Sequence, residues 1–308
     1  MANYVFGVDI GGTTVKIGLF TIQGEMVEKW EITTRTDEGG KYILSDIAAS
    51  VEDKLAEKKI EKSDVAGVGM GVPGPVKADG TVIKCVNLGW GIFNVEEELS
   101  KLLDLPVKAG NDANMAALGE MWQGGGKGHK DIVMVTLGTG VGGGVILGGK
   151  ILTGTKGAAG EIGHMTVEYD EEETCNCGTK GCLEQYASAT GIVRLAKKQM
   201  VETSSLAKIS NLTAKDVFDE AKAGDVYALQ IVDRFARYLG VALGNVAQII
   251  DPEAFVIGGG VARAGSIITE SIEKYYNDSV MFALRGKQFN LAELGNDAGI
   301  YGAVRMVL

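Results

Sequence analysis

The chain has 308 residues and a mass of 32.4 kDa, a length for which two domains are the default expectation. Its 45% hydrophobic and 23% charged residues exclude wholesale disorder. Its 40 acidic against 30 basic residues leave a net charge of −10, which disfavours non-specific binding to nucleic acid or to an anionic membrane, since both rely on positive potential.

Glycine is the compositional outlier, at 45 residues, while proline numbers only 4. The glycines cluster between apolar segments, where turns come close to something, and do not read as a low-complexity linker. In chain order, strands are predicted over 3–10, 15–20 and 26–32 around a glycine turn and the Gln23-Gly24 turn. A helix follows over 41–59, with Ile43, Ile47, Val51 and Leu55 four apart on one face. Next come a strand over 65–70, a loop over 71–75, a strand over 81–86, a helix over 95–103 capped by Asn94, and a strand over 107–109. A helix opens at Asn111-Asp112-Ala113-Asn114 and runs to about Trp122, before a turn at Gly124–Gly128 near a domain junction.

Residues 132–149 carry no charge, which is the lower length limit of a membrane helix. Seven glycines in that stretch argue against a helix, at about 1 kcal/mol each, and it reads as two strands, 132–137 and 143–147. The N-terminus has no basic region ahead of an apolar one, so a cytoplasmic location is expected. An irregular stretch over 149–182 precedes a mostly helical region. There Thr213 to Asp216 forms a capping-box-like start and 225–250 a long helix. A buried strand over 254–257 ends in Gly258-Gly259-Gly260, and the tail from Asp297 is helical. The segments 6–15 and 133–142 each run a strand into a Gly/Thr tip and back, which implies paired α/β domains with a cleft between them.

Two G-x-G-x-x-G matches, at 69–74 and 138–143, run into Pro75 and into a strand. A dinucleotide site would need each to open a helix, and no G-x-x-x-x-G-K-[ST] phosphate loop is present. Asp9-Ile10-Gly11-Gly12-Thr13-Thr14, with Lys16 beyond, can place a carboxylate near Mg²⁺ and offer amides and hydroxyls to phosphate oxygens. Read alone it equally fits an ordinary hairpin turn. His164, Cys175, Cys177 and Cys182 have the types and spacing of a Cys₃His zinc site, against a disulfide or a reactive thiol as alternatives. Cys85 reads as a core thiol and His129 as a surface loop residue. Asp112, Glu161 and Glu184 are carboxylates beside glycine turns; Asp112 alone would also serve as a helix cap.

These segments, with Gly71-Val-Pro-Gly-Pro75, Gly160-Glu-Ile-Gly-His164 and Cys175-Asn-Cys-Gly-Thr-Lys-Gly-Cys-Leu-Glu184, resemble the ROK family of sugar kinases and repressors, most closely its bacterial ATP-dependent glucokinases. The resemblance spans nearly the whole chain. It implies an actin-like (ribonuclease H-like) α/β fold of two domains about a cleft: 1–117 plus a returning 297–308, and 118–296 with a zinc loop over 164–182. It implies that Asp9, Gly11, Gly12, Thr13, Thr14 and Lys16, with Gly138, Thr139, Gly140, Gly142 and Gly143, hold the phosphates of Mg²⁺-ATP. Gly258, Gly259 and Gly260 would lie near the adenosine. Gly74, Asn111, Asp112, Glu161, His164 and Glu184 would meet the sugar, with Asp112 the base for its 6-hydroxyl, and His164, Cys175, Cys177 and Cys182 would hold a structural Zn²⁺. The implied activity is glucose 6-phosphorylation by a homodimer that binds neither nucleic acid nor membrane. Another hexose (N-acetylmannosamine, fructose or allose) or a sugar-sensing repressor is the alternative. Repressors of the family carry an N-terminal winged helix, whereas the hairpin here starts by Tyr4.

Overall fold

The structure is a computed structural model that describes residues 2–198 and 200–308. Contacts group the chain into two compact units, Met1–Gly128 with Gly144–Gly160 and Leu294–Leu308, and His129–Gly143 with Glu161–Glu293.

In chain order the elements begin with strands β1 (Tyr4–Ile10), β2 (Thr14–Thr21) and β3 (Met26–Thr33). A kinked turn α1 (Asp37–Gly40), helix α2 (Ile43–Lys58), β4 (Val65–Val72), the short β5 (Thr81–Val82) and β6 (Phe93–Asn94), α3 (Val95–Leu103), β7 (Val107–Asn111) and α4 (Asp112–Gln123) follow. Then come β8 (Ile132–Leu137), β9 (Val141–Leu147), β10 (Lys150–Ile151), α5 (Glu184–Ala187), α6 (Ala189–Lys198), α7 (Ala214–Lys222), α8 (Val226–Ile250) and β11 (Ala254–Gly258). The chain finishes with α9 (Ser266–Ser279), β12 (Gln288–Leu291) and α10 (Ala298–Val307).

The first sheet has the order β3-β2-β1-β4-β7 and the second β10-β9-β8-β11-β12. In the first, β1–β2 and β2–β3 pair antiparallel while β1–β4 and β4–β7 pair parallel. In the second, β8–β11 and β11–β12 are parallel. The three-residue connection from β8 to β9 is far too short for a parallel crossover. The two sheets thus repeat one topology, although the two hairpin sequences share little beyond their Gly/Thr tips.

Local sequence accounts for most elements. The four-residue spacing on α2 puts Ile43, Ile47, Val51 and Leu55 into the first core beside Phe6, Val8 and Met70. Each such side chain, once buried, contributes about 1.5–3 kcal/mol relative to an exposed one. The Asn94 side chain accepts the Glu97 amide at the start of α3. Thr213 and Asp216 close both arms of a capping box on α7. One expectation fails: the strand over 81–86 stops at Val82. Cys85 instead pairs back on Trp90 in both directions, N–H to C=O at 3.0 Å, through a tight turn closed by Gly89 at φ 75°. Cys85 is a core thiol at 1% exposure and donates to the Pro73 carbonyl at 2.8 Å.

Helix α10 packs on α4 so closely that a Cβ on Gly302 would stand 1.7 Å from the Met115 carbonyl oxygen. This contact brings the C-terminal helix into the first unit, which runs on to Gly128 because α4 continues unbroken past residue 117.

Candidate functional site

In the first unit the expected residues gather at the carboxyl ends of the parallel strands. The register sets Asp9 of β1 against Gly71 of β4, and Gly71 and Val72 against Gly110 and Asn111 of β7. Carboxyl ends of parallel strands are where open α/β sheets bind ligands. Asn111 caps α4, its Oδ1 accepting the amides of Ala113 at 3.0 Å and Asn114 at 3.3 Å, and its Nδ2 donates to the Gly74 carbonyl at 3.2 Å. Asn111 supplies the cap across the first turn, while the Asp112 carboxylate takes the neighbouring Ala113 amide on Oδ1 at 2.8 Å. Asp112 reaches solvent, yet burial by the protein around it raises its carboxyl above the usual aspartate range, offset in part by the Ala113 amide and the Asn111 side chain. Burial also raises Asp9; Lys16, 3.9 Å away, opposes that shift, and the charge of Asp112 adds to it.

The β1–β2 tip is held from outside the motif. The Gly11 amide donates to the Thr14 carbonyl at 2.9 Å, while the buried Thr34 donates its amide to Thr13 O and its hydroxyl to Gly11 O at 2.8 Å. Gly12, Thr13 and Thr14 are exposed, and a Cβ on Gly12 would meet nothing within 4 Å. The Lys16 ammonium donates to the Asn296 carbonyl at 3.0 Å, just ahead of α10.

In the second unit, Gly138, Thr139 and Gly140 form the β8–β9 tip, with Gly142 and Gly143 following in β9. The start of α6 braces this tip: the Ala189 amide donates to Gly138 O at 2.8 Å and the Thr190 hydroxyl to Thr139 O at 2.7 Å. β11 ends at Gly258, in register with Thr136, so Gly259 and Gly260 emerge beside the tip. A cavity of about 540 Å³ opens there, lined by Gly138, Thr139, Lys215, Phe218, Gly260 and Arg263.

A second cavity of about 680 Å³ holds Thr139, Gly140, His164, Cys175 and Glu184. The glycine at 140 lets the Glu184 carboxylate come close to the tip: a Cβ there would sit 2.7 Å from it and push the side chain aside. Glu161 and His164 are exposed at either end of the 3₁₀ turn that starts at Ile162, whose Ile162 and Gly163 are buried. Donor atoms of His164, Cys175, Cys177 and Cys182 all lie within 4.8 Å of one another. Cys177 Sγ is 3.5 Å from Cys182 Sγ, and Cys175 Sγ is 3.9 Å from His164 Nδ1. Around a tetrahedral ion with bonds near 2.3 Å, donors stand roughly 3.7 Å apart, so this set fits such an ion with little movement. Hydrogen bonds from Thr179 hold the Cys177 thiol down at about 6, toward the thiolate that metal binding needs. Glu184 starts α5 two residues after Cys182 and accepts the Cys175 thiol at 2.9 Å. The Cys₃His cluster and a candidate substrate carboxylate therefore share one small volume.

Three supports escaped the sequence reading: Thr34 behind the first tip, Ala189-Thr190 behind the second, and the α7 face of the 540 Å³ cavity. None carries a motif: a single threonine hydroxyl on a backbone carbonyl far away in sequence, or a helix face lining a cavity, leaves no local pattern. His129, expected on the surface, is half-buried with Nδ1 3.9 Å from Glu253.

The profile of the ROK family matches residues 5–308. A glucokinase of Halalkalibacterium halodurans is 47% identical over 308 residues, spanning 97% of this chain and 93% of that protein. Among solved structures, a ROK family glucokinase from Streptomyces griseus in complex with glucose and AMPPNP is 34% identical with a TM-score of 0.75, covering 98% of each chain. A ROK family transcriptional regulator is 26% identical with a TM-score of 0.85, and covers 99% of this chain and 77% of that one. The two repeated sheets are those of the actin-like fold of these ROK neighbours. A match that runs unbroken from the first strand to the last residue leaves one assignment: the chain belongs to the ROK family.

Proposed function

We propose that the protein is an ATP-dependent glucose kinase that transfers the terminal phosphoryl group of ATP to the 6-hydroxyl of glucose. The observation that carries this reading is the division of labour at the start of α4. Asn111 satisfies the helix N-terminus and leaves Asp112 as an acceptor with a raised pKa at the carboxyl end of the sheet. Such a group can take the proton of a primary alcohol as its oxygen attacks phosphorus. The 47% identity to a glucokinase and the glucose complex of the S. griseus enzyme support glucose as the acceptor.

In this reading Gly74, Asn111, Asp112, Glu161, His164 and Glu184 bind the sugar. Acceptor-rich side chains suit a neutral ligand that is a dense array of hydroxyl donors. The exposed tip Gly11–Thr14 and the tip Gly138–Gly143 bind the phosphates, and the 540 Å³ cavity beside Gly258–Gly260 takes the nucleoside. Mg²⁺, held through Asp9, would neutralise charge on the transferred group. Alignment by the chain's own amides and hydroxyls supplies much of the remaining rate. His164, Cys175, Cys177 and Cys182 hold a structural Zn²⁺ that ties His164 and the start of α5 together. Grouped thiols serving as ligands suit a reducing compartment, and we place the enzyme in the cytoplasm as a homodimer.

The test is a coupled assay of glucose, N-acetylmannosamine, fructose and allose with ATP and polyphosphate as donors. Glucose with ATP should give the highest kcat/KM. Asp112→Asn should lower kcat by about 10²–10⁴ with little change in glucose KM; a variant that keeps most of its kcat would remove the base assignment.

A further inference from the structure

Arg194, on α6, belongs to none of the motifs above, yet its guanidinium joins three segments of the second unit. Nη2 donates to the Glu171 carboxylate at 2.5 Å, Nε to Glu173 at 2.7 Å and Nη1 to the Gln185 carbonyl at 3.3 Å. Its planar head also lies over the Tyr186 ring, 5.5 Å from the centroid. Glu171 is 7% exposed and further takes the Tyr186 hydroxyl and the Glu173 amide. Burial alone would raise Glu171, but the hydrogen bonds from Tyr186 and Arg194 hold it down at about 2. Tyr186 stacks on Tyr238 at 4.3 Å, and the Tyr238 hydroxyl donates to Glu168 at 2.9 Å. Gln185 closes the arrangement, accepting the Cys182 amide and donating to the Glu173 carbonyl, both at 3.0 Å.

The need for such a clamp follows from the size of α5. A four-residue helix is a single turn with no propagation to offset its nucleation, so its orientation comes from outside contacts. Its first residue is Glu184, whose carboxylate faces Gly140 and His164. α5 reaches the acidic arm Glu171–Glu173, which leads into Cys175, directly through Tyr186 and Gln185, and Arg194 ties the same two segments together from α6. A forked, planar cation can span two carboxylates and a carbonyl; a lysine at the same place cannot.

We propose that Arg194 is a positioning residue for sugar binding: it locks α5 against the acidic arm and thereby aims Glu184. The proposal rests on the reading of Glu184 as a sugar ligand. Arg194 needs no contact with substrate to act in this way.

The experiment compares Arg194→Met, Arg194→Lys and Glu173→Gln in the full chain. Steady-state kinetics are measured for each substrate, and amide hydrogen exchange across residues 182–187. Both Arg194 variants should raise glucose KM about ten-fold or more, with ATP KM and kcat at saturating glucose within about three-fold. Amides 183–187 should exchange at least about ten-fold faster. Glu173→Gln breaks one leg at an exposed carboxylate, so the fold is kept and a smaller rise in glucose KM should appear. A folded Arg194→Met with unchanged glucose KM overturns the proposal. So does an Arg194→Lys that restores wild-type KM, since charge alone would then suffice. If Arg194→Met does not fold, the other two variants decide by the same criteria. Should the wild-type chain phosphorylate no hexose, the kinase reading falls by itself, and unchanged exchange at 183–187 would separately end the positioning role.

Discussion

Glu120 offers the sharpest test of how the first unit is held together. Its side chain is fully buried, and its carboxylate accepts the Gly125 amide at 2.9 Å and the Leu294 amide at 2.8 Å. Those two amides belong to the segments by which the first unit's chain departs before His129 and returns at Leu294. The Glu120 carbonyl meanwhile accepts from Gly124 at 3.1 Å and Gly126 at 2.9 Å. Hydrogen bonds to a carboxylate are each worth about 1.5–3 kcal/mol. Glu120→Ala, which deletes both and leaves a hole, should therefore cost about 3–5 kcal/mol. Glu120→Gln keeps one acceptor and sets an amide N–H₂ against the other donor, so about 1.5–3 kcal/mol is expected. Urea unfolding followed by circular dichroism, with hydrogen exchange at Gly125 and Leu294, measures both. The Ala variant should also melt lower, by about 2–4 °C per kcal/mol for a unit of this size. Gly124→Ala supplies a steric counterpart, since its Cβ would lie 2.0 Å from the Glu120 carboxylate. A Glu120→Ala protein within about 1 kcal/mol of wild type, with both amides still protected, would refute the reasoning that one carboxylate anchors both segments.

Four further outcomes are expected. Gly302→Ala forces a methyl group against the Met115 carbonyl and should cost at least about 3 kcal/mol or prevent folding, read from soluble yield and urea midpoint. The raised Asp112 carboxyl puts the acid limb of kcat/KM above the ordinary aspartate range, because the base must be deprotonated to act; a limb that Asp112→Asn leaves in place would belong to another group. Glu171 has the opposite sign, being held at about 2 when folded against 4.5 unfolded. The stability it contributes is fully present above 4.5 and lost as the pH falls toward 2, so Glu171→Gln should flatten the dependence of the urea midpoint in that window. Removing zinc with a chelator, or Cys177→Ser, should lower Tm and raise glucose KM more than ATP KM; metal analysis that finds no zinc in active protein would contradict the metal assignment.

Much of the fold was legible from local pattern. Four-residue apolar spacing marked α2, the Thr213–Asp216 box marked α7, and the density of glycine between 132 and 149 turned an apparent membrane span into a hairpin. These succeed because hydrophobic period and capping chemistry act within a few residues of sequence. The site motifs were legible for a related reason: glycine tips, paired thiols and carboxylates next to turns are residue types that few others can replace. Where tertiary pairing decides, sequence pattern failed. The apolar run at 81–86 has strand composition, yet Cys85 turns back on Trp90 and ends it.

What only the tertiary structure decided is which chemical group does which job. Asn111 and Asp112 are both competent helix caps by type, and only the packed start of α4 shows that Asn111 accepts the Ala113 and Asn114 amides while Asp112 shares the Ala113 amide and reaches solvent. Nor could spacing reveal that Arg194 reaches Glu171 and Gln185, or that Glu120 meets Leu294. Hydrogen bonds across such intervals depend on where the whole chain has folded, and leave no period or motif in the sequence to read.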